Sequence, residues 1–163
     1  MAIEQEFLRV SAEMLGTFLG RIETCVARLT PEQVWMRASE NENAVGNLLL
    51  HLTGNVRQWI LSGVGGAEDR RVRDAEFAAR GGAEAAELVR GLREAVEEAR
   101  QVILGMTAEV LMERITVQKM DVTKMEAVYH VVEHFAGHTF QIIFATKMFT
   151  SEDLGFYAHL RTK

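Results

Sequence analysis

Five histidines occur in this chain, and three of them fall in the ten residues 129–138, YHVVEHFAGH. His130, His134 and His138 are spaced four and four. On an α-helix a four-residue step turns by about 40° and rises about 6 Å, so the three imidazoles share one face. Two neighbouring rungs can hold one metal ion, because imidazole nitrogens sit about 2.0–2.1 Å from zinc. The outer rungs lie about 12 Å apart along the axis, too far for all three to meet one ion from a straight helix. One pair is therefore expected to bind, with a further ligand from elsewhere. His51 and His159 are the remaining histidines. His159 stands in a polar tail. His51 lies beside Leu48 and Leu52 on an apolar face, where polar residues are uncommon. An inward histidine facing an inward pair is hard to satisfy without a cation or a strong hydrogen-bond network.

Two protease motifs compete for the same residues. His130-Val131-Val132-Glu133-His134 fits H-x-x-E-H. That pattern needs a further acidic ligand downstream and a peptide cleft, and the short remainder of the chain offers little of that kind. His134 and His138 have the separation of H-E-x-x-H, but Phe135 stands where the general-base glutamate belongs. A peptidase is not the expected activity.

The elements that carry these residues are helical. Ile3, Phe7, Met14, Phe18, Ile22, Cys25 and Leu29 recur at three- and four-residue steps and predict a first helix over 3–29. Thr30-Pro31-Glu32-Gln33 is a capping box with proline at the first helical position. A second long helix is expected over 43–62, capped by Asn41 or Asn43, with His51 and, one turn on, Asn55 along its inner face. Residues 63–82 break the pattern with glycines at each end and the mixed-charge run DRRVRD. They predict a long connection with a helical turn near 75–80. A third, one-sided helix follows over 83–104. The ITVQ stretch fits a hairpin or an irregular loop equally well. Thr123-Lys124-Met125-Glu126 is a second capping box and opens a fourth helix to Phe149. That helix is apolar on most sides, so it is either central or shared with a second subunit, and a homodimer is expected. Four long helices with a long crossover predict an all-α fold, a four-helix bundle.

Composition bounds the function classes. The chain has 163 residues, enough for one domain, with a net charge of -5. It shows no basic stripe with interleaved aromatics, so nucleic acid is not an expected partner. No apolar run approaches the length of a membrane span, and the N-terminal residues do not resemble a signal peptide. The single cysteine, Cys25, reads as a buried thiol in a helical stripe. A cytoplasmic protein is the expectation.

The stretches NAVGNLLLHLTGNVRQWI (43–60), DRRVRDAEF (69–77), YHVVEHFAGHTFQIIFATK (129–147) and EDLGFY (152–157) resemble the DinB-like superfamily, including the YfiT-type metal-dependent hydrolases. The resemblance runs from the second helix to the tail, so that residues 1–163 would form a single DinB-like domain. It implies a four-helix bundle with one histidine from the second helix and an H-x-x-x-H pair from the fourth. In the family that pair is commonly followed by x-G-Q. Here His138-Thr139-Phe140-Gln141 keeps the glutamine and has Phe140 in place of glycine. The resemblance thus implies His51, His134 and His138 as ligands of one divalent metal. His130 becomes an extra rung that orients a ligand or lines the rim, and Asn55 and Gln141 lie within a turn of ligands and can line the pocket.

Three protein ligands leave a fourth position open, as in catalytic rather than structural zinc sites. Zinc and nickel both accept imidazole. The resemblance implies either hydrolysis or S-transfer with a low-molecular-weight thiol, on a small-molecule substrate. Arg57 and the arginines of DRRVRD are candidates to meet an anionic thiol. The alternatives are a non-catalytic metal-binding or stress-linked dimer, and a bundle whose histidines only bond one another.

Overall fold

The computed structural model describes residues 2–160. Among them are six α-helices and one two-stranded sheet. Helix α1 (Ile3–Val26) buries Leu8, Ala12, Leu15, Leu19, Ile22 and Val26 on one face. It ends three residues before the expected boundary, because the Arg28 and Leu29 amides turn back to carbonyls three residues earlier. Helix α2 (Pro31–Trp35) starts at the capping box, with Gln33 N donating to Thr30 Oγ1 at 3.3 Å and Thr30 N donating to Gln33 Oε1 at 2.9 Å.

Helix α3 (Val45–Val56) begins two residues later than expected. Neither Asn41 nor Asn43 caps it. Asn47 does the work from inside the first turn, accepting from Ala44 N at 3.1 Å. The helix then continues as a π-helix over Arg57–Val64. Gly65 N donates to Ile60 O at 2.8 Å, a five-residue step. Such segments are rare and cluster at functional sites. The connection that follows contains helix α4 (Arg73–Ala78) and leads to α5 (Ala85–Leu104), whose buried stripe is Leu88, Leu92, Ala95, Val96, Ala99 and Ile103.

Strands β1 (Arg114–Val117) and β2 (Met120–Thr123) pair antiparallel, with Arg114 opposite Thr123 and Val117 opposite Met120. The two turn residues, Gln118 and Lys119, both have positive φ, at 51° and 65°. That is the backbone which matches the twist of a two-residue hairpin. The hairpin is the part of the fold that departs from an all-helical chain. It lies against the π-helix at Gly63, where a Cβ would come within 2.6 Å of Val117 Cγ2. Helix α6 (Lys124–Thr150) starts at the second capping box, with Glu126 N donating to Thr123 Oγ1 at 3.1 Å.

Helix α1 packs against α5 and α6, and α3 packs against the same two. Phe135, Val131, Ile142, Leu49, Leu52, Trp59 and Ile60 meet in the shared core. Cys25 is buried in it, and burial raises its thiol pKa. No helix is long and apolar enough to cross a membrane among the described residues.

Candidate metal centre

Helices α3 and α6 face each other across the core, and their facing sides carry the histidines. His51 projects from the middle of α3 and is 4% exposed. His134 and His138 project from α6 and are half-buried. The ligand atoms of these three residues all lie within 4.8 Å of one another. Ring centroids are 5.0 Å apart for His51 and His134, 5.0 Å for His51 and His138, and 4.5 Å for His134 and His138. A tetrahedral zinc with nitrogens at about 2.0–2.1 Å sets its ligand atoms about 3.3 Å apart, so a small contraction of this cluster fits such an ion.

The outer ring nitrogens decide where the lone pairs point. His51 Nδ1 lies 3.0 Å from Glu76 Oε2. Arg71 Nη2 is 3.1 Å from the same nitrogen and 2.8 Å from the same carboxylate oxygen. A guanidinium only donates, so Nδ1 cannot serve both partners in the way each would need. The carboxylate is the better match. His51 Nδ1–H donates to Glu76, Arg71 donates to Glu76 as well, and the Arg71–His51 approach follows from the shared oxygen. This assignment leaves the His51 Nε2 lone pair aimed inward. His138 is arranged the same way: its Nδ1 sits 2.7 Å from Gln141 Oε1, an acceptor, so its Nε2 is also free. A carboxylate or amide behind a histidine fixes the tautomer and raises the ligand's basicity.

His51 Nε2 and His134 Nε2 approach to 2.9 Å. Without an ion, His134 Nε2–H donates to His51. An ion would be held by the inward nitrogens of these rings, and His134 would then keep its proton on Nδ1. Two of them, His51 and His134, are held towards the neutral form that a metal ligand needs. Burial lowers the His51 pKa despite the opposing pull of Glu76. For His134, burial first and then the neighbouring His138, His51 and His130 push the pKa down to about 3.

His130 stays outside the cluster. Its ring lies tilted against Trp59 at 4.2 Å and stacks on His134 at 5.3 Å, and its Nδ1 is 3.4 Å from exposed Glu133. It packs the edge of the site. His159 lies in an exposed turn over Ala158–Leu160. Asn55 is 3% exposed, one turn beyond His51, and its Oδ1 has no hydrogen-bond partner among the described residues. Trp59, a further turn along, is 1% exposed and its Nε1 is likewise unpartnered. Buried polar atoms left in this state cluster where a water or ligand completes them. Phe140, in the position where the resembling family has glycine, is half exposed on the outside of α6 with its ring against Phe18 at 6.3 Å. It leaves the histidine cluster untouched.

Glu76 and Arg71 are the site residues that motif spacing did not single out. Arg71 makes a two-pronged pair with Glu76, Nε to Oε1 at 2.7 Å and Nη2 to Oε2 at 2.8 Å. Its side chain is only 3% exposed. It is therefore a buried partner of Glu76 and not a surface cation for an anionic thiol. Arg70 pairs with Glu68, and Arg73 lies over the Phe77 ring at 4.8 Å. Phe77 itself rests on His51 at 4.8 Å. Gly54 makes room for the pair: a Cβ there would fall 2.0 Å from Glu76 Oε1 and 2.9 Å from Arg71 Nε. The connection that carries Glu76 is tied down by Asn47 Nδ2, which donates to Glu76 O at 2.8 Å and Ala79 O at 3.0 Å. It forms a wall of the site.

No functionally curated protein matched the sequence. Among solved structures, the fold is similar to a crystal structure described as the conserved protein of locus from Enterococcus faecalis. The TM-score is 0.74 at 16% identity, covering 93% of this chain and 99% of that one. That likeness establishes shared architecture. Residues 2–160 match the family described as Protein of unknown function (DUF1572), and the chain belongs to that family.

Proposed function

We propose that this chain is a DinB-like four-helix-bundle enzyme that binds one divalent metal through His51, His134 and His138 and acts on a small molecule. The observation that carries this reading is the convergence of three imidazoles from two helices, two of them with their outer nitrogens held by Glu76 and Gln141. The donor set suits zinc or nickel. Three nitrogens leave one position open, where the ion supplies an acidified water or holds a thiolate. Around it the chain's own groups orient and exclude. Glu76 and Gln141 fix ring tautomers, and Phe77 and Trp59 shield the flanks. Asn55 Oδ1 offers an unpaired acceptor to a bound molecule. A cleft of about 330 Å³ is lined by Asn41, Asn43, Val45, Leu48 and Gln141, the residue whose side chain bonds His138. S-transfer with a low-molecular-weight thiol is favoured over hydrolysis, in a single cytoplasmic domain.

The test is a metal-dependent consumption assay. Zinc- or nickel-loaded protein is mixed with a panel of low-molecular-weight thiols and electrophiles. Saturable consumption that vanishes on chelation supports the enzyme. Bound metal with no turnover across the panel would leave a non-catalytic metal-binding protein.

A homodimer belongs to the same reading. Helix α6 leaves Tyr129, Phe140, Phe144 and Met148 exposed along its outer side. Exposed apolar side chains at four-residue steps, as at Phe140, Phe144 and Met148, favour a protein partner. Sedimentation of the wild type as a dimer and of Phe144→Asp as a monomer is the expected result; a monomeric wild type at micromolar concentration would remove it.

A further inference from the structure

A second cavity, of about 450 Å³, is lined in part by Arg71 and Glu76 and by none of the histidines. It is bounded by the outer side of α3, the π-helix and the connection over 67–76. Leu50, Leu61, Val72 and Ala75 give it a mainly apolar lining, and Arg57 stands at its wall. The volume is within the usual range for small-molecule sites, about 300–1,000 Å³. A rare π-helical segment supplies Arg57, Leu61 and Ser62 to it.

Three acidic and three basic side chains line it, and they differ in how they are engaged. Glu68 is paired with Arg70, Asp69 accepts from Gln58 and from the Arg71 amide, and Glu76 is held by Arg71 and His51. Arg57, exposed at the wall, has no carboxylate, carbonyl, amide or ring partner among the described residues. Every other arginine among the described residues has at least one. The cavity is thus mainly apolar, its lining charges balance, and Arg57 is the one guanidinium left without a partner of its own. Arginine in such a place matches a carboxylate or similar acid group, which it can meet with two parallel hydrogen bonds.

We propose that this cavity is a binding site for a small organic anion with an apolar body, its acid group on Arg57 and its hydrocarbon against Leu50, Leu61, Val72 and Ala75. The site goes beyond the metal reading and does not depend on it. The experiment is a calorimetric titration of octanoate into protein stripped of metal, so a failure here leaves the histidine cluster untouched. One octanoate per chain is expected. Arg57→Gln should weaken binding at least tenfold, Arg57→Lys less. Val72→Trp, at an exposed rim position, should fill the cavity and weaken binding at least tenfold without unfolding the chain. Octan-1-ol should bind at least tenfold more weakly than octanoate. No octanoate binding, or octanol binding as tightly, would overturn the proposal. So would octanoate binding that Arg57→Gln and Val72→Trp leave unchanged.

Discussion

Glu76→Ala is expected to destabilise the protein by about 3–5 kcal/mol, because it removes one partner of a buried ion pair and leaves the other uncompensated. Arg71, with 3% of its side chain exposed, would keep its charge in the core with no carboxylate, leaving Gln58 Oε1 at 2.9 Å and His51 Nδ1 at 3.1 Å as neutral acceptors. Against a typical total of about 5–15 kcal/mol that is a large fraction. The same change frees His51 Nδ1, so the ring is no longer held with Nε2 inward. Loss of such a partner typically costs about 10–100-fold in metal affinity. Urea unfolding checks the first effect, as a lower midpoint at unchanged slope. A competition titration with a chromophoric chelator checks the second. Wild-type values for both would mean that the pair neither holds the connection nor orients the histidine.

Zinc is expected to stabilise the folded chain in proportion to its excess over the dissociation constant. At about 1,000-fold excess the gain is about 4 kcal/mol, provided the unfolded chain does not bind. For a protein of this size that corresponds to a rise in Tm of roughly 8–16 °C. Chelation should reverse the rise, and His134→Ala should abolish it. The reason is geometric: His134 is one corner of the triangle and close to both other ligands, 2.9 Å from His51 through their Nε2 atoms and 4.5 Å from His138 between ring centroids. A melting scan with and without zinc reads it. An equal zinc-dependent shift in His134→Ala would place the metal elsewhere on the chain.

Local signals in the sequence were the legible ones. The capping boxes at Thr30 and Thr123 place the starts of α2 and α6 to the residue, because both partners lie within one turn. The four-and-four spacing puts His130, His134 and His138 on one side of α6 for the same reason. The start of α3 was missed because its cap acts backwards from Asn47, while Asn41 and Asn43 look like better caps on paper. The π-helix was invisible because an apolar stripe of Val56, Trp59 and Ile60 fits an ordinary helix as well. Glu76 and Arg71 sit 25 and 20 residues from His51 along the chain. Only the fold of the connection brings them back, and a mixed-charge run such as DRRVRD gives no hint that one of its arginines is buried. Gly54 was the available clue: a glycine inside a helix, one turn from His51, where a Cβ would strike Glu76.

The central claim is that His51, His134 and His138 hold one metal and His130 does not. The direct measurement is bound metal per chain for untagged wild type, His138→Ala and His130→Ala. The account predicts about one zinc or nickel in the wild type, loss in His138→Ala and retention in His130→Ala. Retention in His138→Ala with loss in His130→Ala would contradict it and return the H-x-x-E-H pair to consideration. No metal in any of the three would contradict it as well, leaving the histidines as a buried hydrogen-bond network.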